Sequence, residues 1–249
     1  MKYLISALLI SLLFFSSCEE DDSIFNSPLP LTEEEVVQGL KQALTIGTDT
    51  AVSIVSKVNG YYQDELIKIY LPPEADIIVE NADNPLLQAI GVDSFIEDMV
   101  LKLNRAAEDA ANEATPIFIN AITSMTIQDG FAILNGEDTA ATHYLRDKTY
   151  SELQAAFQPK IGASLDKPIV AGVSASTTWT TFTDSYNEVA TSFLGQLAGL
   201  EPVDTQLDAW VTKKGLNGLF IKVADEEKDI RTDVTARVTD LLEKVFGGG

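Results

Sequence analysis

The longest apolar stripe in the chain runs Phe95, Met99, Leu103, Ala106, Ala107, Ala110, Ala114, Ile117, Phe118 and Ala121. Steps of three and four are the period of a helix with one buried face. Alanine fills the middle of the stripe, so a neighbouring helix can approach closely there. Asn104, Arg105 and Glu108 border that alanine seam. The pattern predicts a long central helix starting near Asp93 or Ser94. Thr115-Pro116 interrupts it. Proline inside a helix costs about 3 kcal/mol, so a kink, or a new helix capped by Thr115, is expected.

Shorter elements flank this one. Thr32 with Glu35 is a capping box, opening a helix through Val37, Leu40 and Leu44 that ends about Gly47. A second helical piece, Ala51 to Lys57, closes at Asn59-Gly60. Ile67, Ile69 and Leu71 alternate, but Pro72-Pro73 cuts them short, so Tyr61 to Pro73 reads as an extended loop. Glu74 to Ala82 is weakly helical, and Asn84-Pro85 opens a short helix that stops at Gly91. Thr126 with Asp129 caps a helix ending at Asn135-Gly136, and Asp138 opens the next. Thr149 with Glu152 has the form of another capping box, leading into Pro159.

Between Ser174 and Leu194 the threonines favour strand. Trp179, Phe182, Tyr186, Val189 and Phe193 nevertheless repeat at three and four, and that period predicts helix. Asp204 caps a helix through Trp210, which Gly215 and Gly218 loosen on its way to Ile230. After a break at Arg231–Asp233, Thr235 to Phe246 forms the last helix. The sum is an all-α domain over 32–246, short and medium helices around the central one. At most one extended pair is expected, near Ile67–Leu71, and 247–249 is a glycine tail.

Composition adds an address. The 249 residues are 45% hydrophobic, enough to bury a core, and the length fits one large domain or two small ones. The 17 Lys+Arg stand against 38 Asp+Glu, a formal net charge of -21. A nucleic-acid binder needs a basic footprint, and no dense Lys/Arg run exists, so nucleic acid is excluded as a partner. Lys2 and the apolar run Leu4 to Phe15 follow the plan of an export signal. The run falls short of the roughly 20 residues of a spanning helix. It ends in Phe15-Ser16-Ser17-Cys18, which resembles a bacterial lipobox with Phe15 in place of the usual Leu.

Residues 1–17 therefore read as a lipoprotein signal peptide, and Cys18 as the lipid-attachment residue; the alternative is an ordinary secretory signal with a free thiol at Cys18. Cys18 is the only cysteine, so no disulfide forms within the monomer. Glu19, Glu20, Asp21 and Asp22 follow at once and resemble the surface-export signal of Bacteroidota lipoproteins. The alternative is a plain solvated tether. Residues 18–31, with Pro28 and Pro30, read as an acidic stalk. The expected location is the outer membrane, reached through the lipid anchor and either exposed at the cell surface or facing the periplasm.

Several segments resemble one family. They are NRAAE at Asn104–Glu108, the PIF…AI…MTI run at Pro116–Ile127 and AATHYLRDKT at Ala140–Thr149. WVTKKGLNGLF at Trp210–Phe220, EE…IR at Glu226–Arg231 and TDLLEKVF at Thr239–Phe246 complete the set. Together they look like the bacterial domain-of-unknown-function family 4197, over about residues 35 to 246. Tyr70, Gly130 and Trp210 depart from the expected proline, alanine and tyrosine. The resemblance implies an exported, mostly helical protein and transfers no catalytic residue.

Chemistry is sparse. No GxSxG, P-loop, GxGxxG or HExxH is present. Cys-His catalysis and a His-Cys zinc site both fail, because Cys18 lies outside the domain. His143, the only histidine, precedes Asp147 by one helical turn. That pair could form a general base, half a metal site or a local hydrogen bond. Asp225 to Asp229 with Asp233 offers oxygen ligands for calcium, without EF-hand spacing. Glu227 and Arg231 are instead expected to pair on a solvated helix face. The stripe Trp179/Phe182/Tyr186/Phe193 reads as core, with a lipid or small-molecule groove as the alternative.

The sharpest candidate is a polar cluster in the seam. Asn104, Arg105 and Glu108 would meet His143 and Arg146 from the helix that starts at Asp138. Arg105 there needs a partner, and Glu108 and Asp109 are within reach; the alternative is that Arg105 and Glu108 point to water. No catalytic residue, metal ligand or cofactor is assigned. The functional expectation is a non-catalytic envelope lipoprotein that binds a protein partner or an apolar small molecule. The alternative is a hydrolase using His143 with nearby carboxylates.

Overall fold

The computed structural model describes residues 31–76, 92–170, 173–197, 199–233, 239 and 245. Its helices are α1 (Glu33–Val55), α2 (Val92–Ala111), α3 (Ala114–Thr123), α4 (Ile127–Leu134) and α5 (Ala140–Leu165). α6 (Ala175–Ala190), α7 (Phe193–Leu197) and α8 (Leu207–Thr232) follow. β1 (Pro168–Val170) and β2 (Val173–Ser174) form a small antiparallel ribbon. The fold is all-α. The extended pair lies here and not near Ile67–Leu71, which is loop as the prolines require.

Two capping boxes stand where the sequence places them. Thr32 and Glu35 exchange backbone and side-chain hydrogen bonds at the start of α1, as Thr126 and Asp129 do for α4. Other boundaries move. α1 runs unbroken past Gly47, and no second helical piece starts at Ala51. Gly47 marks a helix crossing: a Cβ there would sit 3.4 Å from Glu226 Cβ and 3.5 Å from Ile230 Cδ1 of α8. The central stripe breaks ahead of Pro116, so α3 begins at Ala114 with Glu113, not Thr115, at the cap position. Pro116 then sits in the first turn, where a missing N–H is cheap.

α5 carries the largest correction. Thr139, not Asp138, stands at its cap position, and the helix passes straight through Thr149 and Pro159. Thr149 caps nothing; its hydroxyl donates to the Leu145 carbonyl, 2.6 Å away, inside the helix. Leu145, Leu153, Phe157, Ile161 and Leu165 are fully buried on one side, and that burial outweighs the local end signals. Pro159 faces solvent beside the exposed Ala155. The carbonyl it orphans can therefore bind water.

α8 is likewise one helix. Gln206, not Asp204, is its cap position, and Gly215 and Gly218 lie within it. The threonine-rich stretch is helix, with Ser174 Oγ accepting from Thr177 N–H at its start. The expected helices at Asn84–Gly91 and Thr235–Phe246 lie outside the described residues, apart from Thr239 and Val245, as do residues 1–30 and most of Glu74–Ala82.

α5 packs on α8 and α2, and α8 packs on α1. The alanine seam does what its small side chains allow. Ala106, Ala107, Ala110, Ala111 and Ala114 are fully buried, and a Cβ at Gly215 of α8 would stand 3.4 Å from Ala107 Cβ. The loop from Ser56 to Pro72 runs through the core. Tyr61, Ile67 and Ile69 are buried in the core, so their backbone polar groups need partners other than water.

Candidate functional site

The Ile67 N–H bonds within the loop, to Asp64 C=O (3.1 Å); for Ile69 and Tyr61 the partners come from the α2 motif. Asn104 is fully buried. Its Oδ1 accepts from Ile69 N–H (2.9 Å), and its Nδ2 donates to Ile69 C=O (2.8 Å) and Val100 C=O (2.7 Å). A carboxamide is a single side chain that both donates to and accepts from one residue, as a neighbouring β-strand would. One turn on, Glu108 Oε1 accepts from the N–H groups of Tyr61 (3.2 Å) and Tyr62 (3.4 Å). Arg105 pairs with Glu108 Oε2 and donates to Asn59 Oδ1 (2.6 Å). Asn59 is the one non-glycine residue described with positive φ, at 72°, a conformation asparagine tolerates.

α8 holds the other side of the loop. Tyr61 donates its hydroxyl to Gly215 C=O (2.7 Å), and Trp210 donates its indole N–H to Tyr70 C=O (3.0 Å). Burial, and then the Glu108 charge, push the Tyr61 phenol far above its ordinary pKa. Gly218 makes room for the tyrosine: a Cβ there would meet Tyr61 Cε1 at 2.8 Å. Lys222 bridges to Asp64 at 2.8 Å. The NRAAE and WVTKKGLNGLF segments thus converge on one loop.

Asp64 and Lys222 give this clamp a pH window. Burial pulls the Asp64 pKa up, but hydrogen bonds from Lys222 and the Leu66 N–H outweigh it and leave it below 3.8. The Asp64 hydrogen bond raises Lys222 above 10.5, against burial. A depressed carboxylate stabilises the fold fully above its unfolded pKa and loses that contribution as pH falls through the folded value. A raised lysine stabilises below its unfolded pKa and loses the contribution as pH rises. Amide exchange across 59–72, corrected for intrinsic rates, should therefore be slowest between about pH 4 and 10. Asp64→Asn should remove the acid-side change and leave exchange in α5 unaltered. An acid-side change that persists in Asp64→Asn would refute the assignment.

A second buried carboxylate is built on the same plan. Glu227 of α8 accepts from the N–H groups of Ala141 (3.0 Å) and Thr142 (2.8 Å) at the start of α5, and from the Thr142 hydroxyl (2.8 Å). Arg231 pairs with it at 2.9 Å and also donates to Ile133 C=O. The expected solvated pair is therefore buried, with the Glu227 side chain 5% exposed. It supplies the start of α5 with the anion that a helix N-terminus favours. Helical periodicity marks Glu227 as a surface partner of Arg231, and nothing in the sequence shows α5 docking onto it.

The rest of the expected cluster does not join. Arg146 donates to Asn217 Oδ1 (2.8 Å) and lies over the Tyr150 and Phe220 rings. His143 is exposed, and no described carboxylate or hydroxyl is hydrogen-bonded to its imidazole. Glu108 and Glu227 have both oxygens engaged, which leaves neither positioned as a free base. Among the described residues no three His, Cys, Asp or Glu side chains converge on a common point that could hold a metal ion. Asn104, Arg105, Glu108, Glu227 and Arg231 hold the loop and the start of α5 in place.

Among the described residues, exposed apolar side chains lie close together in sequence on α6 and α7. Trp179 is buried, and Phe182 and Tyr186 continue from it with ring centroids 5.6 and 6.4 Å apart. Phe193 leaves the row. Phe193, Leu194 and Leu197 are 79%, 74% and 76% exposed, with Val189 and Leu200 beside them in sequence. A cleft of about 420 Å³ runs along α6 to the loop before α8, lined by Asp166, Asp184, Asn187, Asp204 and Asp208 among others. Between Lys167 and Lys213 there are five acids and no Lys, Arg or His.

The family described as "Protein of unknown function (DUF4197)" matches residues 30–247. No curated protein and no solved structure matches the chain.

Proposed function

The chain belongs to DUF4197, whose description assigns no activity, so its role is read from its own surface: we propose a non-catalytic envelope lipoprotein that docks a protein partner. The observation that carries this reading is the apolar end of α6 and α7. Monomeric proteins rarely leave several large apolar side chains exposed together without a use for them. The exposed α6–α7 residues suit a protein partner; a hollow of about 350 Å³ beside α1 and α3, lined by Ile46 and Ile122 among polar residues, is the larger space for a small molecule. The two apolar spaces between α1, α5 and α8 measure about 20 and 10 Å³, room for no more than a water molecule. Purification from solubilised envelopes should retain a stoichiometric partner with the parent and lose it with Leu194→Glu/Leu197→Glu. Equal retention would reject the surface.

Attachment is proposed through Cys18, at the outer membrane. The lipobox-like Phe15–Cys18 sequence and the use of a lone cysteine support it. Stable anchoring takes more than one acyl chain, which a diacylglyceryl-cysteine provides. Cys18→Ala should move the protein into soluble fractions or stall its processing; unchanged fractionation would count against lipidation. Alanine at Glu19, Glu20, Asp21 and Asp22 should remove surface exposure as read by protease shaving of intact cells. Retained shaving would leave these four as tether only.

A further inference from the structure

We propose that the partner is cationic: the α6–α7 end docks a protein surface that sets Lys or Arg around an apolar centre. This rests on the docking reading above. The outward direction of the apolar residues is imposed by the backbone. Gly195 is buried, and a Cβ there would lie 2.1 Å from Val189 C=O and 2.8 Å from Ala190 C=O. Only glycine lets α7 sit this close to the carbonyl end of α6. Gly195 N–H donates to Ser192 Oγ (3.1 Å), and Leu200 N–H donates to Gly195 C=O (3.0 Å). Asn187 then fastens the return loop, donating to Val203 C=O (2.7 Å) and accepting from Val203 N–H (2.6 Å). With Gly195 turned in, its neighbours Phe193, Leu194 and Leu197 present their side chains to solvent from a hydrogen-bonded frame.

Charge selects the occupant. Asp184, Glu188, Glu201 and Asp204 are exposed on α6 and the return loop, and no cation interrupts the sequence between Lys167 and Lys213. An apolar centre with a polar rim is the usual anatomy of a docking site, and here the exposed residues that flank the apolar ones in sequence include these four acids. A second copy of this chain would bring the same acids face to face across a two-fold axis, each copy strongly acidic. An anionic bilayer would be repelled by the same rim. A basic partner gains on both counts, by steering toward the surface and by pairing with the rim.

The test uses the full-length lipoprotein in membrane vesicles from producing cells. A benzophenone amino acid replaces Leu194, or Leu66 as a control that is 77% exposed elsewhere. Position 194 should give an adduct with one protein that is rich in surface Lys and Arg, and position 66 should not. Leu197→Glu should cut the yield at least tenfold, although it makes the chain more acidic, which nonspecific attraction would not do. Asp184→Asn/Glu188→Gln/Glu201→Gln/Asp204→Asn, or 0.5 M added salt, should each cut it at least fivefold. Parent-level yield in the neutralised variant and in salt would overturn the cationic partner while leaving docking intact. No adduct, an adduct with a second copy, or an adduct with lipid alone would overturn both.

Discussion

Arg105→Ala should lower the urea midpoint by an amount equivalent to about 3 kcal/mol. That is the low end of the roughly 3–5 kcal/mol for removing one member of a buried ion pair. The Glu108 side chain is 4% exposed and that of Arg105 30%, so the substitution strands the more deeply buried charge. Two backbone N–H groups remain on Glu108, which keeps the loss from the top of the range. Arg105→Ala/Glu108→Ala should cost less than the sum of the single changes, because the second removes what the first leaves unpaired. A single-variant shift below about 1 kcal/mol, the worth of an exposed pair, would show that Glu108 is hydrated and that the loop does not depend on it.

Periodicity made the architecture legible and left the joints illegible. The alternation of apolar steps gave the class, the central helix and the helical reading of the threonine-rich stretch, because side-chain burial repeats with the backbone. Capping boxes were reliable where an amphipathic face also began, as at Thr32 and Thr126. They misled at Thr149, where a threonine–acid spacing occurs inside a buried helix and the hydroxyl bonds back to Leu145. Gly47, Gly215 and Gly218 looked like weak points because a sequence shows the missing side chain and not the neighbour that fills its place. Polar partners were read correctly only at short range. Arg105 with Glu108 is a contact within one helix, whereas Asn104 with Ile69 and Glu227 with Thr142 span 35 and 85 residues. α5 does pack on α2, but it turns His143 to solvent and Arg146 to Asn217 of α8, because a sequence does not show which face of one helix meets another.

Asn104→Asp should produce a pH-dependent loss of stability from a change of one atom type. In the parent, the Asn104 Nδ2 group points at two carbonyl oxygens, those of Ile69 and Val100, at 2.8 and 2.7 Å. An aspartate in its place presents a carboxylate oxygen to both, in a site with no exposure to water. The charged form would lack a donor there and is strongly disfavoured. The side chain should therefore stay protonated in the folded protein well above its unfolded pKa, with the acid O–H donating to one of the two carbonyls. A folded pKa raised in this way leaves stability highest at acid pH. The loss then grows by about 1.4 kcal/mol per pH unit from roughly pH 4 until the folded pKa is reached. Asn104→Leu removes the amide without adding a titrating group. It should destabilise by about 1–3 kcal/mol for each buried polar group left unpaired, at every pH alike. Urea unfolding of both variants between pH 4 and 8, each measured against the parent, separates the two. Parallel curves for Asn104→Asp and Asn104→Leu would mean that water reaches the seam and that Asn104 does not hold the Ile69 segment as a buried amide.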